Sequence, residues 1–346
     1  MGFRDLSVEE LLDLEEELLK ERDISEDVSF SRLIGVYEEL YKKITASKNS
    51  HYRFSLHKIR EQLIFYLIEY GTYLKTVYKK DDRAAEMSLK KAIRYERNLP
   101  IAYYRLGFLN YKNKNYSDSL KYFQHAINYQ QQNNSTYEMN EQQLYNSHLY
   151  LANCGLFIAA NAHEKLDKLG MEMSREELPQ YEVSPLYPLI NENTKYLERH
   201  AYKVVTKEES KYMSKEEYEN LMERKNTIIL DLTGREDLLS FNHSEVRLNK
   251  NQAEILRYFF MKSSRNQPVT KYDIFDIFAK SNNSGEIPTN TYVQNITRLR
   301  RKLQDLNIQD KLIENKNGSR ETAYFYNGMF EYCIIHRSDE TFILQE

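Results

Sequence analysis

An echo at 34 positions limits what this chain can fold into more than any other feature of its sequence. Ala85, Leu89, Ala92, Ile93 and Tyr95 return, 34 residues on, as Ser119, Phe123, Ala126, Ile127 and Tyr129. Small and large apolar positions recurring at that period are what stacked pairs of antiparallel helices require. One pair cannot bury its apolar face alone, so the echo predicts a run of helices. The flanking sequence agrees. Ser7-Val-Glu-Glu10 has capping-box spacing and leads into Leu11, Leu14 and Leu18. Leu33, Val36, Tyr37, Leu40 and Tyr41 form a second stripe, Leu63 to Leu74 a third apolar segment, and no proline precedes Pro100. A non-repeating bundle would show similar stripes; the periodic echo favours the repeat.

The best single copy runs from Ile101 to Ala126 and resembles a tetratricopeptide repeat. Tyr103, Leu106 and Gly107 match the family's first helix, and Ser119, Phe123 and Ala126 its second. Asn110 stands where a bulky residue is usual and Gln131 where proline is usual. The resemblance implies a concave face that binds a peptide or protein. Tyr103, Tyr104, Asn110, Tyr111, Lys112 and Lys114 are the candidate contacts, and the same side chains suit packing between repeats equally well. After a loop at 130–140, Leu144 to Leu166 reads as a further helical pair.

Beyond Met173 the pattern changes. Pro179, Pro185 and Pro188 cluster, followed by charged helical stretches at Tyr196–Val205 and Ser214–Arg224, so 169–225 reads as a linker with connecting helices. Short strands follow at Thr227–Leu232, Leu238–Phe241 and Glu245–Leu248. Asn249 then caps a helix with Ile255, Leu256, Phe259 and Phe260 inward, and Lys271–Ala279 forms a second with Ile274, Phe275 and Phe278 inward. A third runs from Thr289 to Gln304 without an acid, burying Tyr292, Ile296, Leu299 and Leu303. Its other face carries Thr291, Gln294, Arg298 and Arg301, with Asn290 on the shoulder. Such side chains can read base edges in a major groove, or can be a solvated basic face. Leu312–Asn315 and Thr322–Tyr326 then read as a hairpin with a basic tip.

Residues 226–327 resemble the OmpR/PhoB-type winged-helix DNA-binding domain of bacterial response regulators. The resemblance rests on Leu248-Asn-Lys-Asn-Gln-Ala-Glu-Ile-Leu256, on Val269-Thr-Lys-Tyr-Asp-Ile274, and above all on Val293-Gln-Asn-Ile-Thr-Arg-Leu-Arg-Arg-Lys-Leu303. It implies that the third helix enters the major groove of double-stranded DNA. Asn295 and Arg298 would lie among groove contacts, Arg300 near phosphate, and Lys316 and Arg320 of the hairpin over a minor groove or backbone. Asn290, Thr291, Gln294, Thr297 and Arg301 complete the candidate DNA-binding set. The wing departs from the family, because Asn317–Tyr324 is longer and has one glycine fewer. Residues 328–346 extend past the family's end, and Phe330–Ile335 with Thr341–Leu344 suggests an added β-hairpin.

The expected fold class is therefore mostly α with a smaller α+β domain: a tetratricopeptide-like solenoid at 1–168, the linker, the winged helix, and the extension. A net charge of −3 excludes a globally basic nucleic-acid coat, so DNA contact must be local. Cys154 and Cys333 have no metal or redox spacing, and no apolar run approaches a membrane span, which suits a bacterial cytoplasmic chain. The sequence holds no phosphate-cradling glycine loop, His-Glu-x-x-His or Cys-x-x-Cys. His125, His148 and His163 read as surface or packing residues, and the acids of the first helix as a solvated face. No cofactor, metal or catalytic set is expected. All-helical sequence ahead of the DNA-binding part excludes a phosphoacceptor receiver. The function these features imply is a sequence-specific transcription regulator, with a peptide or protein signal on its repeats and a possible homodimer. The alternative is a scaffold that uses the repeats for protein contacts and the winged helix for protein or non-specific DNA docking.

Overall fold

The computed structural model describes residues 2–21, 26–47, 51–76, 81–132, 137–168, 186–234, 236–275, 277, 289–308, 312–316 and 321–340. The chain is mostly helical with a smaller α+β part, and it divides into compact units at 1–195 and 196–346.

The first unit holds α1 (Val8–Glu21), α2 (Glu26–Ala46), α3 (Leu56–Thr76), α4 (Asp82–Tyr95), α5 (Pro100–Lys112), α6 (Tyr116–Gln130) and α7 (Glu141–Lys168). Each packs on the next, and α5 also reaches α7. Asp81 and Asn115 cap α4 and α6 by accepting the N–H groups of Ala84 and Asp118, and Pro100 opens α5. The echo has a packing cause. A Cβ on Gly107 would lie 2.9 Å from the Phe123 ring, and one on Gly71 would lie 2.8 Å from Leu89. Both helix pairs thus seat the large residue of the second helix against a glycine of the first. The Ser119 hydroxyl donates to the Gly107 carbonyl at 2.9 Å, and that of Ser88 donates to Leu67 at 2.8 Å. The loop ahead of α7 closes on Gln130, whose amide bonds both backbone groups of Met139.

α8 (Tyr187–Arg199) runs across the division into the second unit, where β1 (Tyr202–Val205), β2 (Ser210–Met213) and α9 (Lys215–Met222) follow. Then come β3 (Thr227–Asp231), β4 (Asp237–Phe241), β5 (Ser244–Leu248), α10 (Lys250–Lys262), α11 (Thr289–Asp305), β6 (Ile313–Asn315), β7 (Tyr324–Tyr326) and β8 (Glu331–Arg337). Six strands form one sheet in the order β2-β1-β8-β3-β4-β5. Both φ values of Asn242 and His243 are positive, which gives the two-residue turn between β4 and β5 the twist a tight hairpin needs. One face of the sheet packs Ile228, Leu230, Leu239 and Ile334 against Ile255 and Phe259 of α10 and Ile296 and Leu299 of α11. The other packs Val204, Ile229, Cys333 and Ile335 against Leu221 of α9. The Tyr218 hydroxyl of α9 donates to the buried Asp231 carboxylate at 2.8 Å, and burial pushes that phenol up to about 12.

Two expectations about this region change. The stretch read as linker contains β1 and β2, and Tyr196–Val205 is not one helix: it breaks at His200–Ala201 and continues as β1. The extension read as a hairpin holds, among the described residues, the single strand β8, and this is a central strand. β8 pairs parallel with β3 and antiparallel with β1, so it joins the β1–β2 hairpin to β3, the first strand of the segment at 226–327. Thr341–Leu344 lies outside the described residues.

Asn249 caps α10 in a reciprocal box with Gln252. Asn249→Ala is expected to cost about 1 kcal/mol of stability, measured by urea denaturation. Of the second helix read at 271–279, residues 271–274 form a turn, 275 and 277 are helical, and Ile274 and Ile277 are buried. Phe278 lies outside the described residues.

Candidate nucleic-acid interface

α11 is held in place by its apolar stripe. Tyr292, Ile296 and Leu299 are fully buried, and Leu303 nearly so, at i, i+4, i+7 and i+11. The Tyr292 hydroxyl donates to the Val269 carbonyl at 2.6 Å, its ring meets Tyr324 edge-on, and burial pushes its phenol far up. Val269 in turn bridges to Tyr324 of β7, and β7 pairs with β6 from Ile313↔Tyr326 to Asn315↔Tyr324. The helix and the hairpin therefore share one anchor.

The opposite face is open. Asn290, Gln294, Thr297, Arg298 and Arg301 are exposed and Thr291 is half-buried. Among the described residues no carboxylate pairs with Arg298 or Arg301, and the first acid along the helix is its last residue, Asp305. Thr297 donates its hydroxyl back to the Val293 carbonyl at 2.9 Å. That uses its one donor and leaves its methyl and an acceptor oxygen.

Two members of the set belong to the scaffold instead. Asn295 is only 7% exposed and donates its amide to the Thr291 carbonyl at 2.8 Å, so it closes the edge of the buried stripe. Arg300 is half-buried, donates from Nε to the Ile313 carbonyl at 2.9 Å and from Nη2 to Asn315 Oδ1 at 2.6 Å, and lies over the Tyr324 ring. It clasps the hairpin to α11 with two of its N–H donors, which fixes where the guanidinium sits. Both residues stand on the flanks of the helix, where sequence spacing separates inside from outside least well. The partner in each contact lies on a distant element or on the helix's own backbone, so no local signal marked them. Lys316 sits where β6 runs into the hairpin loop, with its ammonium 2.8 Å from the Arg265 carbonyl, and Arg320 lies outside the described residues.

The six partner candidates of the first unit are mostly interior. Tyr103 stacks on Tyr129, with burial pushing its phenol to about 12, and Tyr104 meets Phe123 edge-on. Asn110 is buried, donating to the Leu106 carbonyl and accepting from Asn115. The Tyr111 hydroxyl accepts from Asn153, and its ring packs on Tyr116 and Tyr150. Lys112 is exposed and pairs with Asp82 at 2.6 Å, and the side chain of exposed Lys114 has no bond among the described residues. Apart from Lys114, these side chains are engaged within the unit, joining α5 to α6, α7 and α4.

Among the described residues no cluster of acids, histidines and cysteines could hold a metal ion, and no helix is long and apolar enough to cross a membrane. No protein-family model, curated protein or solved structure matches this chain.

Proposed function

We propose that the second unit is a winged-helix module binding double-stranded DNA by sequence, in a transcription regulator whose helical unit takes a peptide or protein signal. The observation that carries this reading is the open face of α11, with unpaired Arg298 and Arg301 beside Asn290 and Gln294 on a helix fixed to the hairpin next to it. Cations without neighbouring acids are free to neutralise phosphates, and each one that does so gains counterion release. Among the described residues, the order of strands, α10, the turn at 271–274, α11 and the β6–β7 hairpin supports the winged-helix reading. The signal-binding role rests on the stacked helices as a class, since five of the six side chains first proposed for it are engaged within the unit.

The test is retention of labelled duplexes by the full chain across a salt series. Affinity is expected to fall with salt, with a log–log slope of about −0.9 for each phosphate neutralised. Lys316→Ala is expected to weaken binding to all duplexes alike. No retention of any duplex at low salt would overturn the reading and favour the protein scaffold.

A further inference from the structure

Resting on the duplex-binding reading above, we propose that α11 reads a short block of base pairs in a fixed order, adenine first and guanine next. Gln294, with Asn290 before it, faces adenine; Arg298 faces guanine about two base pairs further on; Thr297 touches a thymine methyl within the same block; and Arg301 neutralises a phosphate. Each assignment follows from what the side chain has free. Gln294 and Asn290 are exposed amides without a bond among the described residues, and an amide fits the paired donor and acceptor of adenine's N6 and N7. Arg298 is an exposed guanidinium with no carboxylate, and its fork fits guanine's O6 and N7. Thr297 has given its one hydroxyl hydrogen to Val293, which leaves its methyl for the C5-methyl of thymine and only acceptor capacity at its oxygen.

The spacing follows from helix geometry. Four residues rise about 6 Å, close to two base pairs at about 3.4 Å each. At 17 residues, α11 is twice as long as a groove about 12 Å wide can hold at its floor. Its first turns therefore reach base edges, and Arg301, three turns along, comes out at the backbone. Asn295 and Arg300 do not compete for these positions, because one is buried and the other is committed to the hairpin. The block is thus read by two chemically distinct halves of one helix.

Selection from a randomised duplex pool by the full chain tests this, using wild type, Gln294→Ala, Thr297→Ser, Arg298→Ala and Arg301→Ala, all at exposed positions. Gln294→Ala is expected to relax the adenine position alone, and Arg298→Ala the guanine position alone, each by about tenfold or more. Thr297→Ser keeps the hydroxyl bond and is expected to lose only the thymine preference. Arg301→Ala is expected to weaken every duplex alike and to reduce the salt slope by about 0.9. Duplexes retained without preference, or Arg298→Ala and Gln294→Ala relaxing all positions equally, would overturn the ordered block and leave duplex binding standing. Wild type retaining no duplex would remove both.

Discussion

Ile334→Asp is expected to unfold the second unit and to abolish duplex retention, although Ile334 lies in none of the candidate contacts. Its side chain is fully buried, against the core shared with α10 and α11, in a strand whose two neighbours do not pair with each other. A carboxylate there must either stay charged in an apolar core or be protonated at a cost of several kcal/mol. Removing residues 328–346 altogether is expected to do the same. Tyr332, Cys333, Ile334 and Ile335 are all buried, and at about 1.5–3 kcal/mol for a large apolar side chain their loss approaches the whole stability of an ordinary domain. Far-UV circular dichroism of the purified chain would show loss of the C-terminal strands with the helical unit retained. A fragment of 226–327 giving a cooperative unfolding transition would show that β8 is dispensable to the module.

Phe123→Ala is expected to cost the first unit about 3–5 kcal/mol. Phe123 is fully buried, stacks on Tyr150 at 5.2 Å, meets Tyr104 edge-on and covers Gly107. Gly107→Ala alone is also expected to destabilise. The added methyl would sit 2.9 Å from the Phe123 ring, and that crowding outweighs the gain of about 1 kcal/mol that alanine brings to a helix interior. The informative measurement is the double mutant. With the ring gone the methyl has room, so Gly107→Ala is expected to be neutral or stabilising in the Phe123→Ala background. Urea denaturation of the four proteins gives the coupling energy; additive effects would mean that the close approach of α5 and α6 does not depend on this pair.

These two sites also show what could and could not be seen in the sequence. Gly107 and Phe123 were legible because a helix repeats its neighbours every three to four residues, and a repeat unit repeats the whole set. Gly71 plays the same part against Leu89, but its surroundings echo less and it passed unnoticed. The stripe of α11 and the cap at Asn249 were legible for the same local reason. β8 was not. Its partners lie about a hundred residues away, and strand pairing leaves no periodic mark that names the partner. The signal present was composition: Tyr332 to Ile335 are continuously apolar, as a strand buried on both faces and paired in parallel must be. Reading that run as half of a local hairpin placed it at the edge of the module, when it belongs in the middle. On α11 the centre of each face was read well and the flanks were not. Asn295 and Arg300 are polar residues recruited inward, one by its own helix and one by the hairpin.

The place of β8 also sets an order of events during synthesis. The helices of the first unit contact mainly their sequence neighbours, so they can pack while the rest of the chain is still being made. The sheet has no such freedom. β3 and β1 must wait for β8, roughly 100 and 130 residues further on respectively, which at ordinary ribosomal rates is about 5–25 seconds. Through that interval Ile228 and Leu230 have no neighbour on one side, and the hairpin of β1 and β2 has nothing to join. The face of α11 proposed to bind DNA would therefore be completed only late, after the helical unit has had time to pack, and a shortened nascent chain would lack the sheet that supports it.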